Sequence, residues 1–170
     1  TQAMDLVKAA FAAYGINLLV CIDDEIPYTS DLDVLGSSTG ESYAWREATH
    51  PNGAVDHFDE LRDTYFDPAV RNLFRYCIFA NDLPGNASGV ARGNGSQDFI
   101  VALGSFSGGV LEQAGTFMHE LGHTLGLPHG GSSDASQANL AWKPNYSSVM
   151  NYWFQRYGVG RDNGGTPLPN

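Results

Sequence analysis

The hydrophobic positions of the chain follow two patterns, one typical of amphipathic helices and one typical of buried strands. Near the N-terminus, Leu6, Ala9, Ala10 and Ala13 recur with the period of a helix, and Gly15 ends the repeat. Near-continuous apolar runs elsewhere indicate strands that are buried on both faces. The predicted helices cover residues 3–14, 55–65 and 111–125, with a shorter one at 152–157, and the predicted strands cover 16–22, 75–80, 89–92 and 99–103.

Segments rich in glycine, serine and acidic residues separate these elements. Residues 23–49 are acidic and aperiodic, which predicts a long loop of a kind that is often functional. The chain after Gly126 is predicted to be coil, without a clear element before residue 152. The order of elements predicts a mixed α/β (α+β) domain with few helices in its C-terminal third.

Length and composition limit the number of domains and the class of partner. A chain of 170 residues, 42% of them hydrophobic, is expected to form one domain with a real core. Its 19 acidic and 9 basic residues give a net charge of −10, which argues against nucleic acid and anionic membranes as partners. No apolar run approaches the roughly 20 residues that span a bilayer. The sequence contains no signal peptide, so we expect that any targeting segment has been removed.

The two cysteines and the small polar residues bear on the compartment. Cys21 and Cys77 both lie within apolar runs, either as buried free thiols or as one disulfide bond between neighbouring strands. Scarce lysine and abundant glycine, serine and asparagine are typical of secreted proteins, so we expect an extracellular location. Asn-x-Ser sequons at Asn86, Asn94 and Asn145 would carry glycans only in a eukaryotic secretory pathway.

Histidines and one glutamate form the pattern that carries the chemistry. His119 and His123 are four residues apart on a predicted helix, so both imidazoles lie on one face, about one turn apart. Gly126 then ends the helix and allows the left-handed turn that would return His129 to the same ion. Three neutral imidazoles with one open position describe a catalytic zinc site. Glu120 would lie beside the metal, placed to take a proton from a water molecule that the metal activates.

The segment resembles the motif of the metzincin clan of zinc metalloproteases, His-Glu-x-x-His-x-x-Gly-x-x-His followed by a methionine turn. Residues 147–152, Ser-Ser-Val-Met-Asn-Tyr, resemble that turn, with Met150 as an apolar floor beneath the metal. The resemblance implies a twisted, mostly parallel sheet with an antiparallel edge strand, an active-site helix and an irregular C-terminal subdomain. It covers the whole chain as one catalytic domain, 1–170, with subdomains 1–129 and 130–170, and it is tight only from Phe117 to Tyr152.

The same resemblance implies roles for further residues. A tyrosine two residues after the methionine reaches the metal in astacins and serralysins and stabilises the transition state, which implies that role for Tyr152. Residues 145–153 would form the outer wall of the specificity pocket. The edge strand that pairs with an extended polypeptide substrate would consist of Gly89, Val90, Ala91 and Arg92. Aromatic residues that suggest an apolar pocket are Tyr146, Trp153 and Phe154.

Two departures limit the resemblance. Gly130-Gly131 after the third histidine matches none of the astacin, serralysin, adamalysin and matrixin patterns cleanly, so the subfamily stays open. Metzincins usually begin with a strand, whereas this chain begins at a helix, so we expect a processed or trimmed chain. The other two histidines, His50 and His57, are expected at the surface.

The expected activity is that of a zinc-dependent endopeptidase that acts as a monomer on polypeptides. Glu120 would be the general base, and zinc with Tyr152 would stabilise the oxyanion. Two other classes stay open: a zinc-bound binding or adhesion module without turnover, and an amidase for small substrates. Calcium is a further alternative to a solvated acidic loop, although the spacing matches no EF-hand. Its candidate ligands are Asp23, Asp24 and Glu25, or Asp31 and Asp33.

Overall fold

The computed structural model describes residues 1–26 and 58–158. Within these ranges every predicted element from residue 3 to residue 125 except the strand over residues 16–22 is present, close to its predicted bounds. In chain order they are α1 (Gln2–Ala12), α2 (Phe58–Tyr65), β1 (Tyr76–Ala80), a short 3₁₀ turn (Pro84–Asn86), β2 (Gly89–Ala91), β3 (Asp98–Ala102), α3 (Val110–Thr124) and the four-residue α4 (Ala135–Ala138). No helix among the described residues is long and apolar enough to cross a membrane.

A mixed three-stranded sheet forms the centre of the fold, with the strand order β1-β3-β2. β1 runs parallel to β3, with Tyr76 opposite Asp98, and β2 runs antiparallel to β3, with Gly89 opposite Val101. The predicted antiparallel edge strand is therefore present. The sheet is mixed, with one parallel and one antiparallel pair in the described part of the chain, rather than mostly parallel.

The two faces of β3 separate two apolar clusters. Phe99 and Val101 face α1 and α3, where they pack with Val7 and Phe117, among others. Ile100 and Ala102 point to the opposite face and pack with residues of α2 and β1. All five residues of β3 are buried, as the continuous apolar run predicts. The sheet thus holds α3 on one face and α2 on the other.

An ion-pair cluster ties α2 to the sheet. Arg62 and Arg92 both contact the buried carboxylates of Asp59 and Asp98; Arg62 Nη1 lies 2.8 Å and Arg92 Nε 3.1 Å from Asp98 Oδ2. Because both carboxylates face two guanidinium groups, their burial is compensated. The cluster fixes the end of β2 against β3 and α2.

The predicted strand over residues 16–22 is wrong. The segment is extended, with Leu18 and Val20 packed on the core, but Leu19 and Ile22 are 63% and 77% exposed. Alternate side chains contact the core, yet the backbone belongs to no sheet of the described residues. An apolar run indicates that side chains are buried, but it does not show that the backbone pairs with another strand. Cys21 in this segment is exposed, Cys77 is half-buried, and both thiols are free, so the disulfide alternative is wrong.

Further local expectations also differ from the structure. α1 buries Ala3, Met4 and Val7, whereas Leu6 of the predicted face is 44% exposed. The predicted helix at 152–157 is a series of turns. α4, which the sequence did not predict, is capped by the preceding Asp134, whose carboxylate accepts a hydrogen bond from the backbone N–H of Ser136. Predictions that lie outside the described residues are those on Asp31, Asp33, His50, His57, most of the loop 23–49, the start of the helix 55–65, and the end of the subdomain 130–170.

Candidate metal centre

Helix α3 carries the central motif and is capped at both ends. At its start, the Glu112 carboxylate accepts hydrogen bonds from the Ser107 hydroxyl and from the backbone N–H of Gly109. At its end, Gly126 adopts φ +85°, its N–H donates to the His123 carbonyl, and the N–H of Leu127 donates to the Gly122 carbonyl. This is the Schellman arrangement, which ends a helix with a sharp reversal of the chain. The left-handed turn predicted at Gly126 is thus present.

The structure brings His119, His123 and His129 together. The Nε2 atom of His123 lies 3.2 Å from that of His119 and 3.1 Å from that of His129. Around a tetrahedral zinc ion with Zn–N bonds of about 2.0–2.1 Å, the nitrogen atoms would be separated by roughly 3.3 Å. The donor set and its spacing therefore fit one metal ion. Among the described residues, no other His, Cys, Asp or Glu group of three meets this condition, and Asp23, Asp24 and Glu25 are exposed.

Backbone carbonyls orient two of the rings. His119 Nδ1 lies 2.7 Å from the Val149 carbonyl oxygen, and His123 Nδ1 lies 2.8 Å from that of Leu127. A carbonyl only accepts, so each Nδ1 carries the proton and each Nε2 keeps its lone pair for a ligand. Burial lowers the pKa of His119 to about 3 and that of His129 to about 4, and it also lowers the pKa of His123. The rings are therefore neutral at neutral pH, as metal ligation requires.

Glu120 lies beside the triad and is 3% exposed. Burial raises the pKa of its carboxyl to about 8, although the nearby backbone N–H of Ala91 opposes the shift. The carboxyl group also lines the cleft that contains the histidines. A carboxyl group with its pKa near the working pH, at the wall of a cleft, is suited to accept and return a proton.

An open cleft of about 300 Å³ runs between β2 and the histidines. Gly89, Val90 and Ala91 line the cleft, and so does Tyr152. Arg92, the fourth residue of the predicted edge strand, does not line this cleft. Its backbone N–H donates to the Asp98 carbonyl, and its side chain belongs to the ion-pair cluster.

Met150 is 1% exposed and packs against α3. A Cβ atom at Gly122 of α3 would overlap the Met150 sulfur, so the methionine packs directly on the helix between the two ligand histidines. The adjacent Val149 supplies the carbonyl that orients His119. The segment around Met150 therefore packs on α3 and orients the His119 ring, and its role as a methionine turn beneath a metal stays a prediction.

Asn151 organises the loop that follows, and the sequence did not single it out. Its side chain is fully buried and donates to the carbonyls of Lys143 and Tyr146, while its Oδ1 accepts from the N–H of Trp153. The N–H of Tyr152 donates to the Ala141 carbonyl at 2.8 Å. These bonds place the Tyr152 ring 4.7 Å from that of His129, measured between centroids.

The aromatic residues near the site divide into buried and exposed groups. Phe154 is buried, and Tyr146 packs against Gly131, where a side chain would overlap its ring. Trp153 is 55% exposed and makes an edge-to-face contact, at 5.4 Å, with Trp142, which is 59% exposed. Trp142 also contacts Tyr152 at 5.4 Å. Trp142 gave no sequence signal of its own, because it lies in a segment without periodicity.

Comparison with known proteins agrees with this geometry. The model of the Peptidase M66 family matches residues 76–150, from β1 to Met150. The matched segment contains the triad and Glu120, and the match indicates a metallopeptidase that acts on polypeptides. No curated protein and no solved structure matches the chain.

Proposed function

We propose that the protein is a zinc-dependent endopeptidase of the metzincin type, in which His119, His123 and His129 hold the metal. The observation that carries the proposal is the convergence of three neutral imidazoles, with Nε2 atoms 3.1 and 3.2 Å apart, beside a buried glutamate in an open cleft. When bound, zinc would supply Lewis acidity to the scissile carbonyl and to the attacking water. Met150 and its turn would form the floor of the site.

In this proposal Glu120 moves the proton and Tyr152 stabilises charge. Glu120 accepts the proton of the attacking water and passes it to the leaving amine, a role for which its raised pKa is suited. A nearby cation favours the carboxylate form, so the pKa of Glu120 is expected to fall on metal binding. The phenol of Tyr152, which lines the cleft, donates a hydrogen bond to the developing oxyanion.

The test combines metal analysis with mapping of cleavage sites in a peptide library. Wild type should hold about one zinc ion per chain and cleave peptides. Glu120→Gln should keep the zinc and lose roughly 10²- to 10⁴-fold in kcat. Glu112→Gln is the matched control, since it changes a buried glutamate at the far end of the same helix and should keep its activity.

Other outcomes of this experiment select the other classes. Zinc bound without cleavage of any peptide would support a binding module, and cleavage restricted to small amides would support an amidase. Wild-type turnover in Glu120→Gln would reject the general-base role.

We also propose that Trp142 and Trp153 contact an apolar side chain of the substrate. Both rings are more than half exposed. Trp142 contacts Tyr152, which lines the cleft, and Trp153 contacts Trp142, so the two rings extend from the cleft. Trp142→Ala should weaken the library preference for bulky apolar residues and raise KM several-fold. Tyr14→Ala, at an exposed aromatic residue beyond the end of α1, is the control. An unchanged cleavage profile in Trp142→Ala would contradict the assignment.

A further inference from the structure

The backbone of β2 has one edge bonded to β3 and one edge turned to the cleft. The Ser88 carbonyl accepts from the N–H of Ala102, and the N–H of Arg92 donates to the Asp98 carbonyl. In an antiparallel pair, residues bonded to the partner alternate with residues whose N–H and C=O point away. The groups of Gly89 and Ala91 therefore point away from β3, towards the cleft that both residues line.

Gly89 lies directly against the side chain of Glu120. A Cβ atom built at Gly89 would come within 2.8 Å of the Glu120 Cγ and Oε1 atoms and of the Ile100 carbonyl oxygen. Real Cβ atoms do not approach other atoms so closely, so any side chain here would displace the glutamate or the strand. The φ angle of Gly89 is not in the left-handed region, so close approach rather than backbone conformation requires the glycine.

Ala91 supplies the second contact between β2 and the glutamate. Its N–H points away from β3 and lowers the pKa of the Glu120 carboxyl, so it favours the charged carboxylate. This attraction acts on a carboxyl group that is 3% exposed and otherwise adjoins the cleft. The strand therefore contacts Glu120 in two ways, through space left at one residue and through a donor at the other.

We propose that β2 positions Glu120, with Gly89 providing the space that its side chain occupies and the Ala91 amide fixing its carboxylate. The effect on catalysis rests on the proposed function; the contact itself does not. A consequence concerns the substrate, since the Ala91 N–H would then be paired with Glu120. An extended peptide that binds along this edge can form hydrogen bonds with both the N–H and the C=O of Gly89. At Ala91 only the C=O is available to it.

Amide hydrogen exchange tests the contact independently of activity. In the zinc-loaded protein without substrate, the Ala91 amide should be protected although it faces a cleft. Glu120→Ala should speed its exchange by at least about tenfold and leave the Val90 amide, which faces β3, unchanged. Equal exchange of the Ala91 amide in wild type and Glu120→Ala would overturn the proposal.

Kinetics test the positioning role. Gly89→Ala should lower kcat by about 10- to 100-fold, with KM changed less than about threefold and one zinc ion retained, because the reacting groups are misplaced. Gly109→Ala is the matched control, since a Cβ there meets nothing closer than Ser107 Oγ at 4.0 Å. A folded, zinc-loaded Gly89→Ala with the wild-type kcat would overturn the role. Should wild type cleave no peptide, the proposed function fails, and the exchange experiment alone judges the contact.

A double-mutant cycle separates positioning of Glu120 from general damage to the strand. Alanine at position 120 lacks both the Cγ and the Oε1 atom that the new methyl group would meet. The loss of unfolding free energy caused by Gly89→Ala, measured by urea unfolding, should therefore be smaller in the Glu120→Ala background than in wild type. Equal losses in the two backgrounds would assign the effect to the clash with Ile100 and overturn the inference. If Gly89→Ala does not fold, the exchange rates decide.

Discussion

The ionisable side chains at the metal centre are shifted in opposite directions by the same burial. Desolvation disfavours whichever form is charged, so it keeps the histidines neutral and keeps a proton on Glu120. A metal ion requires neutral histidines as ligands, and its positive charge would favour loss of the proton from Glu120. The site is thus electrostatically prepared for a cation, and its pH response can be predicted residue by residue.

Glu120 gives the clearest pH prediction. Burial raises its folded-state pKa to about 8 from the ordinary 4.5, so between these pH values the unfolded chain has released a proton that the folded chain retains. Stability must then fall as the pH rises through this window. The prediction is tested by urea unfolding of metal-free protein. As the pH rises through this window, the free energy of unfolding of Glu120→Gln should increase relative to that of wild type, by at most about 1.4 kcal/mol per pH unit.

Glu112 provides the control for that measurement. Its hydrogen bond with Ser107 lowers the pKa of its carboxyl, so its contribution is complete above its unfolded-state value and stays constant at higher pH. Glu112→Gln should therefore differ from wild type by a constant amount between pH 5 and 8. A constant difference for Glu120→Gln as well would show that its carboxyl is ionised in the folded protein.

Tyr152 gives a prediction on the rate rather than on stability. Tyr152→Phe should lower kcat by about 10- to 10³-fold at nearly constant KM, because only the hydroxyl is lost and the developing oxyanion loses a donor. Its ring contacts with His129 and Trp142 remain. Tyr146→Phe, at a tyrosine packed on Gly131, serves as the control and should leave kcat unchanged. A wild-type kcat in Tyr152→Phe would remove the hydroxyl from the mechanism.

At the residue level, the sequence predicted side chains with strong chemistry and missed those that act through space. The spacing of the histidines and Glu120 on one helix is visible in the sequence, because helix geometry fixes their relation. Asn151 was not predicted as a site residue, and Gly89 was predicted only as part of the edge strand that binds substrate, not as a residue that packs on Glu120. One acts by lacking a side chain and the other by bonding to carbonyls of a loop, and both roles depend on contacts between distant segments.

Helix α3 has a second functional face besides the one with the ligands. Gly115 and Gly122 are seven residues apart, which places them on the same side of the helix, two turns apart. A Cβ at Gly122 would overlap the Met150 sulfur, and a Cβ at Gly115 would overlap the Gln155 carbonyl oxygen. The C-terminal segment therefore lies directly on the backbone of α3.

This contact predicts the effect of a single methyl group. Gly122→Ala should destabilise the fold by about 1–3 kcal/mol through overpacking, despite the better helix propensity of alanine, and should weaken zinc binding because Met150 and Val149 are pushed away. Thermal unfolding and zinc titration measure the two effects. In Gly109→Ala, the zinc affinity should not change. A more stable Gly122→Ala would show that the segment adjusts without strain.

At the level of elements, the sequence predicts a helix or strand well when the residues within that element determine it. α3 and β3 have long or continuous apolar patterns together with clear ends, and both were predicted close to their bounds. Residues 16–22 have an equally apolar pattern, but pairing requires a partner edge that no local pattern encodes. The turns at 152–157 contain helix-compatible residues, yet the bonds of Asn151 and the contact with α3 determine their path.

For the whole molecule, metal removal should lower stability as well as abolish activity. The three histidines come from α3 and from the segment that follows it, so they meet only in the folded protein. A metal ion that binds only this state stabilises it. At a thousandfold excess over Kd, zinc contributes about 4 kcal/mol. At about 2–4 °C per kcal/mol, a chelator should lower Tm by roughly 10 °C.

The matched control for this experiment is His123→Ala, whose Tm should respond little to chelator. Restoration of the wild-type Tm by zinc after chelation completes the test. A Tm that is independent of chelator would argue against a ligated metal in the folded protein. The expectation of a secreted monomer stays a prediction, which size measurement and analysis of the culture medium would check.

The bond between His119 and the Val149 carbonyl also has a consequence for the order of events in time. It joins residues 30 positions apart, and it forms only when the segment after the triad has docked on α3. The orientation of a ligand ring therefore depends on a contact of high sequence separation. Tight zinc binding would then mark the final docking step of folding, so a metal-sensitive dye in a stopped-flow experiment would time the moment at which the two halves of the site meet.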